Sequence, residues 1–247
     1  MSGNPVAVVG NETVASGLKD ARNYHRWMMS LVSSHVGHRV LDVGGGTGNH
    51  LELLLELADT LAVLDISAAS LDLLKRRTSG AGKQLDFIQG DICDEATAQQ
   101  AVRYAPETIT CFDVLEHIKD DARALRQMYQ ILHPQRGTII LKVPAHPFLY
   151  GSMDHLGGHH RRYTRAALSS RLAEAGFRVV ECSHVNAIGA VAWLITGRVI
   201  RPRRLSAPSV NWQIRVFDRY VVPLQRRIEA WTGTPFGQSL IAVGEAR

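Results

Sequence analysis

The 247-residue chain carries three cysteines, Cys93, Cys111 and Cys182, too few and too scattered for a disulfide framework or a zinc knuckle. A reducing cytoplasmic setting is expected. No apolar run approaches the ~20 residues that span a bilayer, so no transmembrane segment is expected. The opening residues, among them Asn4, Pro5, Gly10, Asn11 and Glu12, lack a basic stretch followed by an apolar one, and no signal peptide is expected.

At 45% hydrophobic residues the chain can bury a full core, and its length suits one enlarged α/β domain. The formal charge is +5, with arginines gathered in 161–171 and 198–227. Such clusters suit nucleic acid, anionic lipid or a phosphorylated substrate, and equally a solvated surface.

One stretch organises the remainder. From His38 to His50, the apolar Val40, Leu41 and Val43 break into Gly44-Gly45-Gly46-Thr47-Gly48, as a buried strand does when it turns into a glycine loop. Leu51 to Leu57 then reads as a helix facing whatever the loop holds. A dinucleotide fingerprint needs a glycine at position 49, where Asn49 stands. Further strands are expected over Thr60–Ile66, Leu85–Ile92, Thr108–Phe112 and Thr138–Val143, with a helix over Asp120–Leu132. The first helix is expected over Leu18–Val36, with Trp27, Leu31 and His35 spaced by four. Alternation of this kind predicts a parallel sheet with ligands at the strand carboxyl ends.

Gly44, Gly46 and Gly48 with Asp42 ahead of them resemble the first motif of the class I S-adenosylmethionine (AdoMet) methyltransferases. The segment Asp113-Val114-Leu115-Glu116-His117-Ile118 resembles the stretch after strand four in methyltransferases of the ubiquinone-biosynthesis type and their small-molecule relatives. That resemblance implies a Rossmann-like fold: a seven-stranded, mostly parallel sheet with an antiparallel last strand, helices on both faces and a helical insertion before that strand. It also implies AdoMet as cofactor, with S-adenosylhomocysteine as product. Asp65 is then placed for the ribose hydroxyls, a role a carboxylate fills well, with Ile66 beside it. Asp91 and Ile92 fall at the adenine, Phe112 and Asp113 at the methionine portion, and Tyr24 on a helix across the cofactor mouth.

Beyond Val143 lies Pro144 to Thr164, where two prolines and three glycines argue against regular structure. Its pattern around Asp154 resembles a recurrent methyltransferase subgroup, and it reads as a closure and specificity loop, with Tyr150, His160, Arg162 and Tyr163 at the acceptor. His117, His155 and His159 are the candidate bases, since imidazole titrates near neutrality. A metal shared by His155, His159 and His160 is disfavoured by Gly157-Gly158 and the neighbouring arginines, so no metal is expected. Thr164 opens a helix through Ala175, Phe177–Cys182 is strand six, and Ser239–Val243 is the last strand. About fifty residues, Val185 to Thr234, separate those two strands. They are expected to form one cover with Tyr150–Tyr163. The single domain thus divides into a lid-helix region at 1–37, a cofactor core at 38–143, a closure loop at 144–164 and a cap at 185–234.

The expected reaction is methyl transfer to an oxygen, nitrogen or carbon of a small, specialised or lipid-linked molecule. An RNA methyltransferase and an AdoMet-binding cyclase or binding protein stay open as alternatives. The first would explain the arginines but is weakened because the chain lacks a recognisable RNA-binding appendage; the Asn/Asp-Pro-Pro-aromatic and cysteine–proline motifs of two nucleic-acid methylase classes are also absent, and no nucleic acid is expected as partner. A monomer or homodimer is expected, and the apolar Ile188–Ile200 beside Arg201–Arg204 leaves room for peripheral membrane contact.

Overall fold

A computed structural model describes residues 21–79, 82–196, 212 and 214–247. The start of the first helix at Leu18 and the basic cluster Arg198–Arg204 lie outside the described residues.

Seven strands form one sheet: β1 Arg39–Val43, β2 Thr60–Asp65, β3 Gln84–Gln89, β4 Thr108–Phe112, β5 Thr138–Pro144, β6 Phe177–Val185 and β7 Ser239–Ala246. Their spatial order is 3-2-1-4-5-7-6. All pairs from β3 to β5 are parallel, whereas β7 runs antiparallel to both neighbours. The order reverses beside β1, which puts a ligand crevice at the carboxyl ends of β1 and β4. Helix α1 Arg22–Val32 precedes β1, and between the strands lie α2 Leu51–Leu57, α3 Ala68–Thr78, α4 Glu95–Tyr104, α5 Asp121–Leu132, α6 Ser152–Gly157, α7 Arg165–Glu174, α8 Ala187–Leu194 and α9 Val222–Thr232.

The strands are apolar almost throughout because both faces of the sheet are covered. Side chains alternate between faces: Leu41, Val43, Ala62 and Leu64 join a core with α4, α5 and α7. Val40, Leu61 and Val63 join a second core with α1 and α3. On α1 the buried residues are His25, Trp27, Met28, Met29 and Val32, so the stripe expected through Leu31 is displaced; Leu31 is exposed.

The closure segment differs from its expected irregularity. Residues Pro147–Leu149 form a 3₁₀ turn and Ser152–Gly157 a short helix. Gly158 ends that helix at φ 75°, the left-handed conformation that favours glycine at a helix end. The two glycines that argued against a helix therefore mark where one stops.

Candidate active site

Residues from six parts of the chain line a cavity of about 610 Å³. Asp42, Gly44, Gly46 and His50 come from β1 and its loop, Phe112, Asp113, Glu116 and His117 from the end of β4, and Lys142 from β5. The closure segment contributes Met153, His159 and Arg162, the insertion Trp193, Phe217 and Asp218, and α1 contributes Tyr24.

The glycine loop is built for close approach. Gly46 has φ 52°, and a Cβ there would meet only the Gly44 carbonyl at 3.7 Å, so backbone and open space face each other. Gly44, at φ 74°, instead packs on Val114, which a Cβ would strike at 2.3 Å. Asp65 fastens the loop: its Oδ2 accepts from the Gly46 amide at 2.8 Å and its Oδ1 from the Ser67 amide at 2.8 Å. Each oxygen keeps one further acceptor position.

At the end of β4, Asp113 adopts φ 56°, strain of the kind kept at functional sites. Its Oδ2 accepts from the Lys142 ammonium, which also lies over the Tyr24 ring at 5.4 Å. Lys142 is buried; burial pulls its pKa down, and the Asp113 carboxylate outweighs that pull and raises it. A lysine within the apolar run Thr138–Val143 is an anomaly visible in the sequence, yet it was not among the expected site residues.

Two of the three candidate histidines come together. The His117 and His159 rings meet edge to face, centroids 4.8 Å apart. His117 Nδ1 donates to the Gly158 carbonyl at 3.3 Å and His159 Nδ1 to Asp154 Oδ1 at 2.8 Å. Burial, then the neighbouring His159, lowers the His117 pKa to about 4. Beside them Glu116 is buried, with Oε2 lacking a hydrogen-bond partner among the described residues. Burial first, then Asp113, raises its pKa to about 7. Ligand atoms of Glu116, His117 and His159 lie within 4.8 Å of one another, so a metal-capable cluster occurs here rather than at the His155–His159–His160 set weighed from the sequence.

The sequence of residues 18–182 matches the methyltransferase domain family. The chain belongs to that family. It is 32% identical over 98 residues to the ubiquinone biosynthesis O-methyltransferase of Escherichia coli, a match covering 40% of each chain. The methyltransferase domain also superposes on the putative methyltransferase solved with the Haloferax volcanii Trm112 methyltransferase activator, at 17% identity and TM-score 0.64, covering 100% of this chain and 99% of that one. A third likeness is to the trans-methyltransferase CalH in complex with SAH, at 17% identity and TM-score 0.58, covering 89% of this chain and 55% of that one.

Other expected site residues of the methyltransferase domain stand elsewhere. Gly48, at φ 77°, packs on Leu74 away from the cavity. Asp65, Ile66 and Asp91 sit at or just beyond the ends of β2 and β3, outside the cavity wall; Asp91 Oδ1 accepts from the Cys93 amide. Ile92 is 3% exposed within the core, whereas Ile66 is 70% exposed. His155 is exposed against the Tyr150 ring, and His160 is exposed, its amide bonded to the Glu116 carbonyl. Tyr150 donates to the His159 carbonyl at 2.7 Å. Tyr163, expected at the acceptor, is buried, and its hydroxyl donates to Asp121 at 2.9 Å; it anchors the closure segment to α5. His50 is a further cavity residue that the sequence did not single out. Its ring meets Phe112 edge to face, and its Nε2 lies 3.1 Å from His25 Nδ1.

Asp154 organises the closure segment. Fully buried, it accepts from His159, from Arg162 Nε at 2.7 Å, from the Gly151 amide at 2.9 Å and from Trp193 Nε1 at 3.3 Å. Its pKa is lowered: burial opposes the shift, and the His159, Arg162 and Gly151 bonds outweigh it. Arg162 in turn stacks on Trp193 at 4.8 Å. Closure segment and insertion thus meet over one cavity.

Proposed function

We propose that the protein is an AdoMet-dependent methyltransferase acting on a small-molecule nucleophile, with His159 as general base. The Asp154–His159 pair, on the wall of the cavity that the glycine loop also lines, carries this reading. A carboxylate that takes Nδ1–H fixes the tautomer, leaves the Nε2 lone pair toward the acceptor and stabilises the imidazolium that forms. His117, with its pKa near 4, is too weak a base at neutral pH and serves better as a wall of the acceptor pocket. A placed base contributes ~100- to 10,000-fold.

AdoMet, when bound, supplies a methyl group on a sulfonium. The residues fit it: Gly46 admits close backbone approach, the spare acceptor positions of Asp65 suit ribose hydroxyls, and exposed Ile66 and half-buried Asp91 suit the adenine. Asp42, Phe112 and Asp113 suit the methionine portion, with Tyr24 over the mouth. A cavity of about 610 Å³ lies within the ~300–1,000 Å³ of small-molecule sites, which supports a small acceptor over a polynucleotide. The partial likeness to a ubiquinone O-methyltransferase supports oxygen as the acceptor atom.

The test is incubation with methyl-labelled AdoMet and separated metabolite and RNA fractions. Label is expected in the metabolite fraction, unchanged by a chelator. His159→Gln should lower kcat by about 100-fold or more while S-adenosylhomocysteine binding persists. Label in RNA, or activity lost to chelation and restored by a divalent metal, would overturn the acceptor class or the base respectively. Cofactor binding with no transfer to either fraction would favour the cyclase or binding-protein reading.

A further inference from the structure

Helices in water normally turn their apolar stripe inward. The insertion does otherwise. Trp212, Val216, Tyr220, Leu224, Ile228 and Trp231 are exposed by 66, 36, 64, 58, 49 and 93%. Residues 214–232 are helical, with a π-helical turn at Phe217–Val221 that leads into α9; along them the exposed apolar residues recur every four positions and finally three, the spacing of neighbours on a helix surface. On the side that faces the protein, Asp218, Val222 and Gln225 are buried. This helix therefore has an anchored face and, separately, an apolar face presented to solvent. Helix α8 repeats the arrangement: it holds no charged residue, and Ile188, Val191 and Leu194 are exposed at 42, 53 and 39%.

Charge is sorted in the same way. Of the acids in this stretch, Asp218 is buried and caps α1, while Glu229 is bonded to the Asn186 and Ala187 amides. Arg219, Arg226 and Arg227 are exposed. An apolar ridge with tryptophans and a tyrosine, flanked by arginines with the acids turned away, is the pattern of a helix lying in a lipid interface. Among the described residues no helix is long and apolar enough to cross a membrane. A second copy of the chain is disfavoured, because a two-fold contact would set this arginine-flanked patch against itself while Asp218 and Glu229 are engaged elsewhere.

We infer that this face seats the protein on an anionic lipid bilayer, so that an amphiphilic acceptor enters the cavity from the membrane. The same two segments support the second half: Trp193 from α8, and Phe217 next to the exposed Val216, line the cavity. That half rests on the methyltransferase reading; the docking itself does not.

Co-sedimentation of the full chain with phosphatidylglycerol-containing vesicles and with pure phosphatidylcholine vesicles tests it. The expected result is partition to the anionic vesicles that weakens with salt. Leu224→Glu with Ile228→Glu should lower it by about tenfold or more, with S-adenosylhomocysteine binding and circular dichroism unchanged. Arg226→Glu with Arg227→Glu should abolish the preference for anionic lipid. No partition by the wild type, partition untouched by either double variant, or a solution dimer that the Leu224→Glu, Ile228→Glu variant splits would overturn the proposal. So would saturable RNA binding that survives that variant while vesicles are ignored. Because these readouts do not use turnover, a failure here leaves the labelled-methyl result standing by itself.

Discussion

Asp42 sits at the end of β1, 6% exposed, where burial disfavours its charge. Its pKa is accordingly raised to about 7, chiefly by burial and further by Asp65, against the Thr110 hydroxyl that donates to Oδ1 at 2.7 Å. A ligand carrying a sulfonium and an ammonium favours the carboxylate, so the bound-state pKa lies below the free-state one. Binding below pH 7 must then release a proton, and affinity rises with pH until about 7 and levels off above it. The slope approaches about tenfold per pH unit. Asp42→Asn should bind AdoMet more weakly and flatten the profile. Titration calorimetry in two buffers of different ionisation enthalpy reads the proton directly; an affinity independent of pH in the wild type would remove Asp42 from the site. Residues of this kind were partly legible in the sequence. Asp42 and the glycines stood out because acid and glycine punctuate an apolar run. Trp193 did not, because nothing local shows which distant carboxylate an indole N–H will reach.

Helix α1, whose Tyr24 lines the cavity, has no cap from its own sequence: Ala21 precedes it and offers no acceptor. Asp218 supplies one from the insertion, accepting from the Asn23 amide at 3.1 Å and the Tyr24 amide at 2.8 Å. A carboxylate at a helix N-terminus satisfies free amides and meets the positive end of the dipole. Asp218→Ala should cost about 1–2 kcal/mol and lower Tm by about 2–8 °C. It should also weaken AdoMet binding, because Tyr24 loses its fixed place over Lys142; unchanged melting with unchanged affinity would show the cap to be idle. Strands β1, β2, β4 and β5 were legible as apolar runs ending in acid, glycine or proline, since burial on both faces writes itself into composition. Helix α6 was not: six residues carry too little periodicity, and its support is the tertiary network on Asp154. The cap on α1 was equally out of reach, lying 195 residues from the helix it serves.

At the scale of the molecule, the cavity is closed by two segments far apart in sequence that share one buried carboxylate. Trp193, from the insertion, donates to Asp154 Oδ2 and stacks on Arg162, while His159 and Arg162, from the closure segment, hold Oδ1. Turning the indole away withdraws a donor from Asp154 and a cover from Arg162 together, and the imidazole held by the same carboxylate loses its orientation. Neither contact touches the glycine loop or Asp65, so the effect should fall on turnover and spare the cofactor. Trp193→Leu is expected to lower kcat by about 10- to 100-fold, the scale of a misplaced catalytic group, with S-adenosylhomocysteine affinity within about twofold. If Trp193 acts through His159, the losses cannot add, because residues serving one step fail together. The variant carrying both Trp193→Leu and His159→Gln should then be no slower than His159→Gln alone. Multiplying losses in that double variant would mean that the insertion contributes to catalysis by a route other than the base. Loss of cofactor binding in Trp193→Leu would place the insertion in the architecture of the cofactor site instead.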